Sequence, residues 1–373
     1  MEKSKVYFTD MRVNSAADSL PAKLGRLVKA AGIEKIDFKD KFVAIKIHFG
    51  EPGNLAFLRH QYAAVLVDII KKLGGKPFLT DCNTLYVGGR KNGLDHLDAA
   101  YKNGFTPFAT GCHVVIADGI KGTDEAHIPV EGGEYVKEAK IGRALVDADI
   151  IISLNHFKGH EMAGFGGCLK NIGMGGGSRA GKCEMHSSGK PKVDQSKCVG
   201  CGICKRNCAN NAITITNKKA SINHDNCLGC GSCVGACIRD AITPGFDEAL
   251  DIMNKKIAEY TKAIIDGKPN FHVNIAVDVS PYCDCYGGND LAVVPNVGMF
   301  ASFDPIAIDV ASVEMVNKMP AIPGSILDEK IKNHEDHHDH FCTISPNTKW
   351  QAGIEHGIKL GLGTKEYELV TVK

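Results

Sequence analysis

Apolar positions follow two alternating rhythms through the first half of the chain. Residues 41–48 (KFVAIKIH) make the β-branched run of a buried strand, and residues 55–73 carry apolar positions at helical spacing, closed by Gly74 and Gly75. A second strand is predicted at residues 77–80. Further apolar runs at residues 113–117 and 149–154 (DIIISL) are separated by helix-like stretches. This alternation predicts an α/β fold, a largely parallel sheet with flanking helices. Sites in such sheets gather at the carboxyl ends of strands. Polar clusters stand where those ends should be, at residues 48–51, 81–83 and 155–160.

The rhythm breaks near residue 164. A glycine-rich loop is predicted to residue 181, and a cysteine-rich region follows. Helix then resumes over residues 246–265, strand over 270–278 and helix over 304–319. The C-terminal piece reads as too strand-poor to stand alone. The expected organisation is therefore a discontinuous α/β domain, residues 1–188 and 248–373. Into it is inserted a small α+β ferredoxin-like domain, residues 189–247, with repeats 189–218 and 219–247.

The repeat is plain in the residues. CVGCGICKRNCANNAIT begins at Cys198, and CLGCGSCVGACIRDAIT begins 29 residues later at Cys227. Each copy has the spacing C-x2-C-x2-C-x3-C of bacterial two-cluster ferredoxins. Three thiolates within seven residues wrap one cubane, while the fourth cysteine opens a short helix aimed at the other. Crossed ligation of two [4Fe–4S] clusters follows: Cys198, Cys201, Cys204 and Cys237 for one, and Cys227, Cys230, Cys233 and Cys208 for the other. Paired zinc sites are the alternative, but zinc needs four ligands and has no use for the third and fourth cysteines at these intervals. The proline usual after the fourth cysteine is replaced by Ala209 and Ile238.

Composition narrows the field. The 373 residues are 44% hydrophobic and 23% charged, with a net charge of +1, as in an ordinary globular protein. With one Trp and no basic excess there is no footprint for nucleic acid. No run approaches 18 apolar residues, so no membrane span is expected. The opening MEKSKVYFTD lacks a signal-peptide core, which points to the cytoplasm. Thiols stay reduced there, so 15 cysteines suggest metal or redox chemistry rather than disulfides.

Residues 155–186 (NHFKGHEMAGFGGCLKNIGMGGGSRAGKCEMH) hold three His, three Lys and two Cys among many glycines. Glycine at that density lets backbone approach a neighbour closely. A flexible linker is the plain alternative, although linkers do not intersperse His, Lys, Phe and Met. GGSRAGKC (residues 176–183) fits G-x4-G-K, but Cys183 stands where a magnesium-binding Ser or Thr is needed, no strand precedes it, and EMHSSGKPK makes a poor helix. A P-loop is rejected. His48 and Glu51 sit at a strand end, as first contacts for a ligand or as structural groups. Asp81, Asn83 and Arg90 suit either a substrate carboxylate or phosphate, or the capping of a turn. Cys283-Asp284-Cys285 is either a soft-metal or redox pair or inert. HEDHHDH (residues 334–340) reads as a solvated loop rather than a metal site.

Several motifs as a set, HFGEPGN, DCNTLY, NHFKGH with GFGGCLKNIGMG, YCDCYGGND and ASFDPIAID, resemble the iron–sulfur members of the family called domain of unknown function 362. The resemblance covers about residues 42–313. A second is to the nickel-pincer lactate racemase family, through His160, GFGGCLK ending at Lys170, and His186. It implies an additional metal or organometallic cofactor near these residues, with Lys170 as anchor, His186 as metal ligand and His160 as acid/base. Cys168 stands where that family has a glycine.

Three functions are expected from these features. In the first, an iron–sulfur oxidoreductase passes electrons through its clusters to a redox site around His48, Asp81, His156, His160, Lys170 and His186. Its partners would be a redox protein or a small-molecule substrate. The second is a non-catalytic electron carrier or adaptor, for which some 300 extra residues are superfluous. The third is a metal-cofactor isomerase whose clusters are structural.

Overall fold

The computed structural model describes residues 3–85, 88–187, 190–246, 248–332 and 338–373. Eight strands build the central sheet: β1 (Ser4–Thr9), β2 (Phe42–Lys46), β3 (Lys76–Asp81), β4 (Val114–Ile116), β5 (Ile150–His156), β6 (Asn270–Ala276), β7 (Gly298–Ser302) and β8 (Tyr367–Thr371). Their spatial order is β8-β1-β7-β6-β5-β2-β3-β4. Only β7 runs against its neighbours, so the sheet is mostly parallel, as the alternation predicts. The strand-poor reading of the C-terminal piece is corrected: β6, β7 and β8 all follow residue 248.

Two layers of helix cover the sheet, and the period of two decides which side chain meets which layer. Val43 and Ile45 of β2, with Ile150, Ile152 and Leu154 of β5, pack into one core with α1 (Leu20–Ala30) and α2 (His60–Lys72). Ala44 and Ile151 face the opposite core, with α3 (Cys168–Gly176) and, beyond α4 (Arg179–His186), α5 (Leu250–Ile265) and α6 (Pro305–Asn317). Each large apolar side chain so buried stabilises by about 1.5–3 kcal/mol. The same alternation places Lys46 on the α3 side, where burial forces a polar partner on it. Helix α2 starts at His60 rather than near residue 55 because Asn54 Oδ1 accepts from the Ala56 and Phe57 amides, fixing an irregular turn.

Residues 164–181 are not the loop that glycine content predicts. Residues 168–176 and 179–186 are α3 and α4, so Glu184, Met185 and His186 end a helix. Glycine disfavours helix by about 1 kcal/mol per residue, so packing must override propensity here. A Cβ on Gly173 would stand 2.2 Å from the Ile257 carbonyl oxygen of α5, and one on Gly176 2.5 Å from Ile264 Cδ1. The glycines let α3 lie directly on α5. Asp309 of α6 caps the start of α3, accepting from the Cys168 and Leu169 amides at 2.7 and 3.0 Å.

Residues 190–246 contribute no strand to the large sheet. The pair Pro191–Val193 and Ile242–Pro244, and the hairpin of Ile213–Thr216 with Lys219–Ile222, are both antiparallel. Short helices begin at Ile203 and Ser232, and the strands Ile213 and Ile242 begin, at the same 29-residue offset as the sequence repeat. Gly200, Gly202, Gly229 and Gly231 all take positive φ, which explains the glycines between the cysteines of each copy. The chain leaves and returns at one place, with the Glu248 amide 3.4 Å from the His186 carbonyl. The expected boundary residues 188, 189 and 247 lie outside the described residues, as do Tyr86 of DCNTLY and residues 334–337 of the His-rich run. His340 in that run caps a structural end, its Nε2 2.9 Å from the Met319 carbonyl.

Candidate functional site

The strand order reverses direction at β2, whose neighbours β3 and β5 lead to opposite edges. That crevice, outside the carboxyl ends of the strands, is where open α/β sheets bind ligands. A cavity of about 60 Å³ lies there. Five of the six residues expected from sequence, His48, Asp81, His156, Lys170 and His186, line it together. His160 does not: it is buried, and its Nδ1 accepts from the Met162 and Ala163 amides at 3.1 and 3.0 Å.

The walls are rich in charge. Lys46 Nζ is 2.9 Å from Asp81 Oδ1 and donates to Asn171 Oδ1 at 2.9 Å. Asn171 in turn donates to the Lys46 and Leu154 carbonyls, tying α3 to β2 and β5. Arg90 Nε donates to Glu51 Oε2 at 2.8 Å, and Arg90 Nη1 lies 3.6 Å from Asp81. Arg90 Nη2 is buried without a hydrogen-bond partner among the described residues. Burial opposes ionisation of Asp81, but Lys46 and the neighbouring imidazoles outweigh it and hold the carboxyl well below its usual range. Burial likewise lowers Lys46, against the pull of Asp81. Asn83 is structural, since its amide is spent on Asp118 and Gly119.

The opposite wall comes from three distant segments. His156 Nδ1 is 2.9 Å from both Asp284 oxygens and its Nε2 is 2.8 Å from the Val277 carbonyl. Lys170 Nζ donates to Cys283 Sγ at 3.3 Å. A hydrogen bond from Cys285, and then the charges of Lys158 and Lys170 against the cost of burial, hold the Cys283 thiol well below its ordinary range. That thiolate and its neighbours raise Lys170 despite its burial. Lys158, 4% exposed, makes no hydrogen bond or ion pair among the described residues. Burial, followed by the charge of Arg90, pushes His48 down to about 3; burial, followed by His160, does the same to His186. Both are neutral imidazoles at pH 7. Among the described residues, no group of three or more His, Cys, Asp or Glu gathers at one point to hold a single metal ion.

Sequence reasoning did not select Lys46, Lys158, Lys182, Asp284 or Cys285 for this site, and all five line the cavity. Lys46 carried the clearest signal: a charge inside an apolar strand requires a buried partner.

The eight cysteines of residues 190–246 separate into two sets. Cys198, Cys201, Cys204 and Cys237 line one small cavity. Cys208, Cys227, Cys230 and Cys233 line another. Backbone amides point at their sulfurs: Ala220 to Cys198, Ala212 to Cys208 and Ala241 to Cys237, each at 3.3 Å.

The family described as "Domain of unknown function (DUF362)" matches residues 43–314. No curated protein matches the chain. Among solved structures, the lactate racemase apoprotein from Thermoanaerobacterium thermosaccharolyticum is 14% identical with a TM-score of 0.45, over 85% of this chain and 58% of that one. A Thermotoga maritima protein from a structural genomics consortium is 13% identical with a TM-score of 0.37, over 81% and 58%. The chain thus spans under two thirds of the length of either.

Proposed function

The chain belongs to the DUF362 family, and from that premise we propose that it is an iron–sulfur redox enzyme acting on a small acidic molecule in the switch-point cavity. Residues 189–247 are read as a two-cluster ferredoxin-like domain inserted between residues 188 and 248. The observation that carries this reading is the crossed sorting of the cysteines, in which each set of three is completed by the fourth cysteine of the other repeat. A cubane holds its thiolates at the corners of a cage, so the four need not converge on one point as they must for zinc. Amide donors to sulfur also suit thiolates that carry a cluster's negative charge. Bound there, two [4Fe–4S] clusters supply electrons one at a time.

In the cavity, Arg90 Nη2 has no hydrogen-bond partner, and the Lys158 side chain makes no hydrogen bond among the described residues though its charge acts on Cys283 and Asp284; both favour an anion. Asp81 and Glu51 keep Arg90 oriented. The neutral His48 lines the cavity, and Cys283, its thiol held below the ordinary range, stands behind the cavity-lining Lys170. A cytoplasmic, one-electron carrier protein would be the partner.

A metal-cofactor isomerase is the second reading, favoured by one observation: Lys170 and His186 line the same cavity. Anaerobic purification with elemental, sulfide and bound-metabolite analysis tests both. About eight irons and eight sulfides per chain are expected. Colourless protein with two zincs would refute the cluster reading, and stoichiometric nickel would transfer the cavity to the isomerase.

A further inference from the structure

Resting on that cluster reading, we propose that the cluster held by Cys227, Cys230, Cys233 and Cys208 is the one that communicates with the cavity. Helix α4 joins the two, and Arg179 raises this cluster's reduction potential above that of its twin.

Four residues on one side of helix α4, within an arc of about 100°, make both sets of contacts. Lys182 and His186 line the cavity. Arg179 and Cys183 lie against the second cysteine loop. A Cβ on Gly231 would stand 2.9 Å from Arg179 Cγ, and one on Gly235 2.0 Å from Arg179 Nη1. Cys183 is fully buried in one apolar cluster with Cys233 and Val234. Eight residues of helix span about 12 Å, so the residues that touch the second cysteine set and those that line the cavity are at most that far apart along one short element. Among the described residues, Lys91 reaches the first set, donating to the Cys237 carbonyl at 3.3 Å, but Asp240 pairs with its charge; Gly200 faces Lys218, and Gly202 faces Arg206 of its own copy.

The two repeats differ where this matters. Position 235 of the second copy corresponds to Arg206 of the first. Glycine at 235 makes room for the buried guanidinium of Arg179, while Arg206 is exposed to solvent. Arg179 is 3% exposed and donates from Nη1 and Nη2 to the Lys121 and Lys91 carbonyls. Its Nε has no hydrogen-bond partner, and no carboxylate lies within ion-pair distance among the described residues. Burial opposes the charge of Arg179; Asp118 favours it first, and then the thiols of Cys230 and Cys233. Reduction adds one negative charge to a cluster, so a buried cation on one side favours the reduced form there, and solvent screens the equivalent charge on the other. With the clusters bound, Cys227, Cys230, Cys233 and Cys208 would hold the one of higher potential, which would take electrons one at a time from the reduced carrier and give them to the acidic substrate. No proton moves along α4.

The test is a redox titration of the anaerobically purified full-length protein, followed by electron paramagnetic resonance. Cys201→Ser marks the first cluster by altering one of its ligands. In Arg179→Gln, one potential should fall by at least the tenfold change in reduction equilibrium that is about 59 mV for one electron. The unmarked cluster should be the one that moves, and Arg179→Lys should restore most of the difference. Selective loss of about four of eight irons in Arg179→Gln would also support the assignment. Equal shifts in both potentials, no shift, a shift confined to the marked cluster, or loss of all iron would overturn it. Absence of clusters from the unaltered protein would instead refute the reading on which this rests.

Discussion

At the scale of single residues, the site is a set of buried charges that need one another. Asp309 shows how far burial moves a group: loss of water pushes its carboxyl up to about 6, although it accepts from two amides of α3 and from Asn274. A folded value above the unfolded value of 3.8 means that its stabilising proton is fully present below about 3.8 and lost as pH rises through 6. The stability of the unaltered protein relative to Asp309→Asn should therefore grow by about 2 kcal/mol between pH 7 and pH 4. Urea unfolding of both proteins at each pH checks this, and a constant difference would count against it. Lys158 gives a second expectation. Inorganic phosphate or oxalate should raise the melting temperature, the gain reaching about 2.7 kcal/mol at a hundredfold excess over Kd. Lys158→Met should lose most of that response while remaining folded; an undiminished response would remove the cation from anion binding. The strand-end groups His48 and Asp81 were legible in sequence because a parallel sheet delivers them to one edge. The thiolate was not. Lys170 and Cys283 are 113 residues apart, and no local spacing announces a contact at that separation.

At the scale of elements, glycine misled the sequence reading. Strands β2, β3, β4 and β5 were legible to within two residues at most ends, because apolar runs between helical spacings have few other uses. Helices α3 and α4 were not, because their glycines score as loop until a partner helix is known to lie against them. Two substitutions of the same kind separate these cases. A Cβ on Gly25 of α1 would meet only Val65 Cγ1, at an ordinary contact distance of 3.9 Å, so Gly25→Ala should stabilise by about 0.5–1 kcal/mol through helix propensity. Gly173→Ala gains the same propensity but meets the Ile257 carbonyl, and should destabilise by about 1–3 kcal/mol. Thermal unfolding of the pair measures both. The same sign for both would show that α3 does not depend on close contact with α5.

At the scale of the whole molecule, the question is whether residues 190–246 are a passenger or part of the core. The 29-residue repeat in these residues was legible at once, since its spacing is local, and the helices and strands of the two copies start at that same offset. Its seat on the sheet was not legible, because Leu85, Arg179 and Cys183 meet it from far away in sequence. The Glu248 amide lies 3.4 Å from the His186 carbonyl, so the chain can be closed across the gap by a short Gly/Ser linker replacing residues 189–247. The eight-stranded sheet takes no strand from the excised part, so cooperative unfolding and the far-ultraviolet spectrum of an α/β protein should survive, and on the proposed cluster reading the shortened chain should hold no iron. The melting temperature should fall, because the apolar face of Leu85 and Cys183 and the charge of Arg179 become exposed. Adding Leu85→Ser should recover solubility without restoring iron. A shortened chain that never folds, with or without that change, would mean that the cysteine unit and the sheet share one core. Helix α4 would then be a structural strut before it is anything else. If instead the sheet folds and still gains stability from phosphate, substrate binding belongs to the α/β part alone, and the cysteine unit serves it only through α4.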